Sequence, residues 1–509
     1  MRRLRQASVG LLLATWMSVL SGVAPSPVSA TEVDPPVRIT TTPVPSRTFE
    51  APATAVDPRD PPRVYVATAD LQAATCQIFR SSDGGRSFAA LEGPDFGRMT
   101  DCGLNRGGLP QNMRMKLVVD PEGAVYWAVA VADPAAMGAR GVVLARSDDG
   151  GESWRTTTVT APPVPATPDE AVTNFVPDLF VDQLGEGRHV WVSWRRSFSE
   201  TSERTTEGWA ARSVDGGRTF EPEVRALEAN PGFDAPRIVM DEQDTVYWFQ
   251  RERPPSPAEG EQAKPSSLLM ARSGDGGRTW EKSELGQAQT VMEEPVAGVS
   301  PDGRTLYVAW ADGRNGDLDV FFMRSTDRGR TWSEPARVND DELKNRRSQK
   351  WPRMSVAPNG RIDVVWYDYR NDGMDVPEDD VEFFLGEVND VYLTSSKDGG
   401  RTFTGNVRVT SEAVDRSLGT YNSQYSVEVP PGLGSRDRSA FVAWSDTRLG
   451  DKGTAAQDIF GAQVDFSTKD VSWLRPVLVL AVALALAGIG LLVVAARRRN
   501  SSKPVTTET

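Results

Sequence analysis

SSDGGRSF at residues 81–88 returns five more times: SDDGGESW at 147–154, SVDGGRTF at 213–220, SGDGGRTW at 273–280, STDRGRTW at 325–332 and SKDGGRTF at 396–403. The shared pattern is Ser-x-Asp-x-Gly-x-(Ser/Thr)-(Trp/Phe), and its chemistry is that of a tight hairpin turn. Asp83, Asp149, Asp215, Asp275, Asp327 and Asp398 can accept backbone N–H bonds across the turn, and the glycines supply positive φ. The closing aromatic ring seats the base of the turn against a hydrophobic layer.

Upstream of each turn stands a second pattern: an apolar strand, a turn, then a Val-Tyr-Val-Ala-Trp-like strand. Its copies are 52–68, 115–129, 177–194, 236–249, 295–310, 352–367 and 424–444, which makes seven rather than six. Corresponding residues fall 57–72 positions apart, room for four short strands and their loops.

The eight-residue turn resembles the Asp box (BNR repeat) of the sialidase-like β-propellers. The resemblance implies an all-β propeller in which the box is a structural turn at the outer hairpin of each blade. The expected fold is seven-bladed, with six Asp boxes. The last unit has a third strand, IFGAQV at 459–464, but no box. The N-terminal segment VRITTT (37–42) is expected to supply its missing strand and close the ring, removing the exposed edges of an open propeller. Sialidases with this repeat have six blades, so the chain departs from that pattern.

The two ends set the expected location. Residues 1–30 read as a signal peptide: Arg2, Arg3 and Arg5, a short apolar run, then Val28-Ser29-Ala30. Residues 477–496 are twenty uncharged, mostly apolar positions, about 30 Å of helix. Arg497, Arg498 and Arg499 follow, which holds the 497–509 tail in the cytoplasm and residues 31–468 outside as the propeller. The reading is a single-pass cell-membrane protein with an extracellular N-terminal domain.

The chain's formal charge of −13 becomes −19 for residues 31–496, because seven basic residues and one acid go with the ends. Such an ectodomain repels nucleic acid. The partners expected instead are an extracellular glycan or protein, and the membrane through the C-terminal helix. One histidine, His189, excludes a multi-histidine zinc site. Cys76 and Cys102, the two cysteines, are expected to pair in an oxidising compartment.

With the boxes on one face, the longer loops fall on the other, which is the candidate functional face. Cys76 and Cys102 project there. Three units carry Trp-x-Asp-x-Arg after the second strand: Trp310/Asp312/Arg314, Trp366/Asp368/Arg370 and Trp444/Asp446/Arg448. One reading is an Asp–Arg bridge that pins each loop. The other is a ring of guanidinium groups gripping an anionic ligand. The insertion 367–390 is dense in carboxylates, among them Asp368, Asp372 and Asp375. No cofactor is required; Ca²⁺ is the cation such a loop would take.

The first strands should line a central channel whose mouth gathers Lys116, Asp178, Arg237, Glu294, Arg353 and Tyr425. The sialidase resemblance implies roles there. Tyr425 would be the nucleophile, and Asp178 or Glu294 the acid/base of an exo-α-sialidase-like hydrolase. Arg237 and Arg353 would hold a carboxylate. Against that stand departures: no arginine lies in the 49–53 stretch before the first box, and no Tyr–Glu pair is apparent. A ligand-binding propeller without catalysis is the principal reading, and the hydrolase is the alternative.

Overall fold

The computed structural model describes residues 31–466, apart from 42–47, 60–61, 72, 74, 97–98, 101–114, 133–139, 162–170, 183–188, 201–202, 231–235, 253–264, 288–292, 374–385, 420–428 and 451–455. The expected signal peptide, transmembrane helix and tail lie outside the described residues. Among the described residues every element is a β-strand, and one compact unit runs from Val33 to Asp465.

Antiparallel meanders build the unit. The strands fall into six sheets. One has nine strands, and it consists of two meanders joined by a single parallel pairing, Arg140 with Thr173. Each meander begins with a first strand: Phe49–Val56, Lys116–Val119, Ala171–Val181, Arg237–Met240, Val296–Val299, Gln349–Val356 and Gly432–Ser435. Each first strand lies beside the next, and the last lies beside the first. These strands therefore surround a common axis.

The second strands explain why the sequence folds this way. Val64–Asp70, Leu306–Asp312 and Ile362–Asp368 are buried at every residue, so both faces are covered by protein, and the runs are mostly apolar or aromatic, each ending on a buried aspartate. Successive meanders share the core. Tyr65, Ala67 and Ile78 pack with Val125, Trp127 and Val143. Tyr247 and Phe249 pack with Val308 and Trp310. Phe441 and Ile459 pack with Val64 and Phe79.

Val37–Arg38 pairs antiparallel with the final strand, Asp458–Asp465, through Val37–Gly461 and Arg38–Phe460. The pairing is reinforced by side chains. Arg38 bridges Asp458 at 2.9 Å, and the Thr40 hydroxyl donates to the same carboxylate at 2.8 Å.

All six repeated turns share one hydrogen-bond set. In the first, the Ser81 hydroxyl donates to Asp83 Oδ1 at 2.7 Å and accepts from the Gly85 N–H at 2.8 Å. The Ser87 N–H and hydroxyl donate to the two Asp83 oxygens at 3.0 and 2.6 Å. Gly84 and Gly85 have φ of 81° and 100°. In the fifth copy Arg328 occupies the first glycine position with φ 62°. Its guanidinium reaches Glu242 at 2.6 Å, in the turn after Arg237–Met240. The repeated turns thus share a side with the C-terminal ends of the first strands. The N-terminal ends open on the opposite side.

Candidate functional site

The mouth of the channel is shaped by proline. In three first strands the ladder slips, between Glu50 and Ala53, Phe175 and Asp178, and Lys350 and Arg353. Each slip contains a proline: Pro52, Pro177 or Pro352. Proline has no N–H to give the ladder, so the strand bulges there and resumes one step later. Ala51 and Trp351, directly before their prolines, take φ of 58° and 55°, a conformation costly for residues with a Cβ. Trp351 is held by its N–H, which donates to Glu293.

Where the strands resume, charged side chains face the axis. Lys116 Nζ lies 3.6 Å from Asp178 Oδ1, and Asp178 Oδ2 accepts the Ile238 N–H at 3.0 Å. Arg237 NH2 lies 3.6 Å from Glu294, and its NH1 donates to the Pro236 carbonyl at 2.9 Å. Arg353 donates to its own preceding carbonyl, Pro352, at 3.1 Å. The Asp178 carboxylate favours the Lys116 ammonium, but burial in the wall and the positive charges of Arg237 and Arg353 outweigh it. The Lys116 pKa is left below its ordinary value. Burial and Arg237 push Arg353 down to about 9, still charged at neutral pH.

Lys116, Asp178, Arg237 and Arg353 line one cavity of about 240 Å³. Lys116 and Arg353 also line a contiguous cavity of about 460 Å³, which runs on to Pro58, Pro121, Pro301 and Pro358. Among the described residues lining the smaller cavity three are cations and one, Asp178, is a carboxylate, with Glu294 set behind Arg237, in a chain whose overall charge is negative.

Of the two readings of Trp-x-Asp-x-Arg, the structure forms the bridge. Arg314 NH2 meets Asp312 at 2.6 Å, Arg370 meets Asp368 at 2.9 Å and Arg448 meets Asp446 at 2.8 Å. The tryptophan completes each bracket: Trp310, Trp366 and Trp444 donate from Nε1 to the same carboxylates at 2.7, 2.8 and 2.7 Å. The guanidinium planes lie over Phe321, Tyr392 and Phe460 at 4.4, 4.2 and 4.5 Å from the ring centroids. These arginines form three separate brackets, and none lines the channel cavities.

Other sequence-derived candidates stand as follows. Tyr425, Cys102 and Asp375 lie outside the described residues, and no described cysteine is free. Asp368 is engaged by Trp366 and Arg370, and Asp372 is buried and faces the Val388 N–H at 3.5 Å. Among the described residues no group of three or more metal-ligating side chains is gathered.

Two features escaped the sequence reading. An arginine precedes the first serine of five of the six turns, and in three of these it reaches the turn of the next repeat. Arg80 donates to the Gly150 carbonyl at 2.8 Å, Arg146 to Gly216 at 2.5 Å and Arg324 to Gly399 at 3.3 Å. The signal was present, one residue outside the quoted motif. The second is a buried polar network between two loops. Asn339 donates to Asp319 and Asp341, both at 2.7 Å, and Arg337 bridges the same two carboxylates. Beside it Asp317 accepts the Arg346 N–H at 2.7 Å through one oxygen, while its buried Oδ1 has no partner. Burial and then the Asp319 charge raise the Asp317 carboxyl to about 6.

No family model and no curated protein matches the chain. Solved structures do. An ulvan lyase, described as a new family of polysaccharide lyase, is 11% identical, with a TM-score of 0.51 over 84% of this chain and 95% of its own. A protein of unknown function from Dyadobacter fermentans is 13% identical, with a TM-score of 0.47 over 86% and 99%. A Hadza microbial sialidase is 14% identical, with a TM-score of 0.43 over 77% and 74%. The lyase likeness shows the fold, a β-propeller.

Proposed function

We propose that the chain is a membrane-anchored, cell-surface propeller of seven blades that binds an acidic glycan at the channel mouth, opposite the Asp-box turns. The observation that carries this reading is the shared wall: among the described residues Lys116, Arg237 and Arg353 line one cavity together with Asp178, and Glu294 stands 3.6 Å from Arg237. Guanidinium groups recognise planar oxyanions in two-point fashion, and a partly desolvated wall strengthens the attraction. The seven first strands around one axis and the pairing of Val37–Arg38 with Asp458–Asp465 support the blade number. Surface location rests on the apolar run at 477–496 and the arginines that follow, and the Cys76–Cys102 bridge belongs to the same reading. The ulvan lyase of this fold has been seen bound to a saccharide containing glucuronate and sulfated rhamnose, a ligand of the anionic class proposed here.

An array of neutral, uronate, sulfated and sialylated glycans, probed with the full chain, tests this. Selective capture of acidic glycans is expected, reduced about tenfold or more in Arg353→Gln and Lys116→Gln. Equal capture of neutral and acidic glycans, or capture unchanged in both variants, overturns it. Hydrolysis of a fluorogenic sialoside, lost in Tyr425→Phe, replaces binding with the hydrolase reading.

A further inference from the structure

Below its charged mouth the channel wall changes character. Val56, Val118, Phe180, Val299, Met354 and Leu433 line the larger cavity, with four prolines at the far end. Two of the wall's hydroxyls are already engaged: Ser300 donates to Asp302 at 2.5 Å and Ser435 to Asp363 at 2.6 Å. Thr54 and Ser355 are also on the wall, but its aliphatic stretches offer water no hydrogen-bond partners. An aliphatic chain gains the ordinary free energy of leaving water. The cavity's volume of about 460 Å³ lies within the range of small-molecule sites, which are mostly apolar with a few placed polar groups.

The two charged side chains that the described residues place on this wall are both cations. Lys116 and Arg353 stand at the mouth, and among the described residues Arg353 makes one hydrogen bond, to Pro352. Positive groups at one end of a channel with aliphatic walls match the shape of an anionic head joined to an aliphatic chain. We propose that the channel holds the tail of an anionic amphiphile whose carboxylate or sulfate head sits at Lys116 and Arg353. The proposal rests on the anion-binding reading of the mouth and adds the tail, so the natural ligand is an acidic glycan or carboxylate carrying an acyl or alkyl chain.

The test is a chain-length series. The full chain, held in amphipol, is titrated calorimetrically with n-alkanoates from hexanoate to dodecanoate below their micellar concentrations, with empty amphipol as the blank. Affinity is expected to rise about fourfold per added methylene. Val299→Phe and Val356→Phe, which narrow the lumen, flatten that dependence. Arg353→Gln weakens every member of the series by a similar factor. Alkyltrimethylammonium ions of matched length should bind at least tenfold more weakly than the alkanoates. A flat series in the unsubstituted protein, with acidic glycans still captured, overturns the tail and leaves the mouth reading standing. Failure of both alkanoates and acidic glycans to bind overturns both. Equal binding of the cationic series overturns the head assignment. The wild-type series needs no variant, so a misfolded substitution cannot rescue the idea.

Discussion

Arg370 closes on Asp368 with both ends of its guanidinium, Nε to Oδ1 at 3.0 Å and NH2 to Oδ2 at 2.9 Å, while Asp368 is wholly buried. The same two-residue bracket recurs at Asp312/Arg314 and Asp446/Arg448. The repetition is architectural: each bracket fixes the loop leaving a second strand and satisfies the tryptophan N–H beneath it.

Arg370→Ala should destabilise the protein by about 3–5 kcal/mol, because it leaves a buried carboxylate without its counter-ion. The loss should depend on pH. Burial raises the Asp368 carboxyl above its ordinary value even with Arg370 present, and removing the guanidinium raises it further. A carboxyl raised in the folded state holds its proton more tightly there, so folding is favoured below the unfolded value near 4 and weakened as pH climbs through the folded value. Denaturant melts of the variant should therefore show a larger deficit at pH 8 than at pH 5.

Asp317→Asn should stabilise the protein at pH 8 by about 1–3 kcal/mol and leave it nearly unchanged at pH 4. The Asp317 carboxyl titrates near 6, pushed up by burial and by Asp319. Its contribution is intact below about pH 4 and is lost as pH rises through 6. An amide supplies a neutral group to the unpartnered position. Thermal melts at the two pH values check this, and a variant less stable than the parent at pH 8 refutes it.

Acid should act on the repeated turns in the opposite sense. Burial nudges the Asp83 carboxyl upward, but hydrogen bonds from Ser81, Ser87 and the Arg86 N–H outweigh it and hold the group at about 2. Stability from such a group is present above pH 4 and falls away as pH drops through 2. Asp83→Ala should cost about 1 kcal/mol at neutral pH, the modest figure reflecting solvent around the turn. It should also shrink the acid sensitivity between pH 4 and 2. Parallel pH titrations of stability in parent and variant measure the difference.

Arg146→Met should destabilise by about 1–3 kcal/mol, since the buried Gly216 carbonyl loses its charged donor from the neighbouring repeat. Arg146→Lys should recover little, because the same guanidinium also binds Asp148 through Nε at 2.8 Å. An unchanged m-value with a lowered midpoint would show that the effect falls on the native state.

Much of this architecture was legible before any coordinates. Short-range chemistry wrote the six turns into the chain, since serine, aspartate, glycine and threonine meet within seven residues. The mouth was legible by register: Lys116, Asp178, Arg237 and Arg353 occupy matching positions in repeated strands, and the structure gathers them on one cavity wall. The brackets were visible as Trp-x-Asp-x-Arg, although the choice between bridge and ligand grip required the ring planes of Phe321, Tyr392 and Phe460. The Asp317–Asn339–Asp341 network was not legible, because it depends on two loops meeting across a turn whose length carries no pattern. The left-handed Trp351 was hidden for a similar reason. Proline signals that the preceding residue is restricted, but not that a tryptophan will be forced to positive φ.

The clasp between Val37–Arg38 and Asp458–Asp465 joins segments more than four hundred positions apart. On a ribosome Glu32–Val33 and Val37–Arg38, which both pair with the final strand, must therefore wait, unpaired, until almost all of the unit has been synthesised. Intermediate repeats can stack one upon another as they emerge, but cooperative closure waits for the Asp458–Asp465 strand. A nascent chain stalled before residue 458 would thus carry a sticky open edge at each end, a natural target for chaperones and proteases.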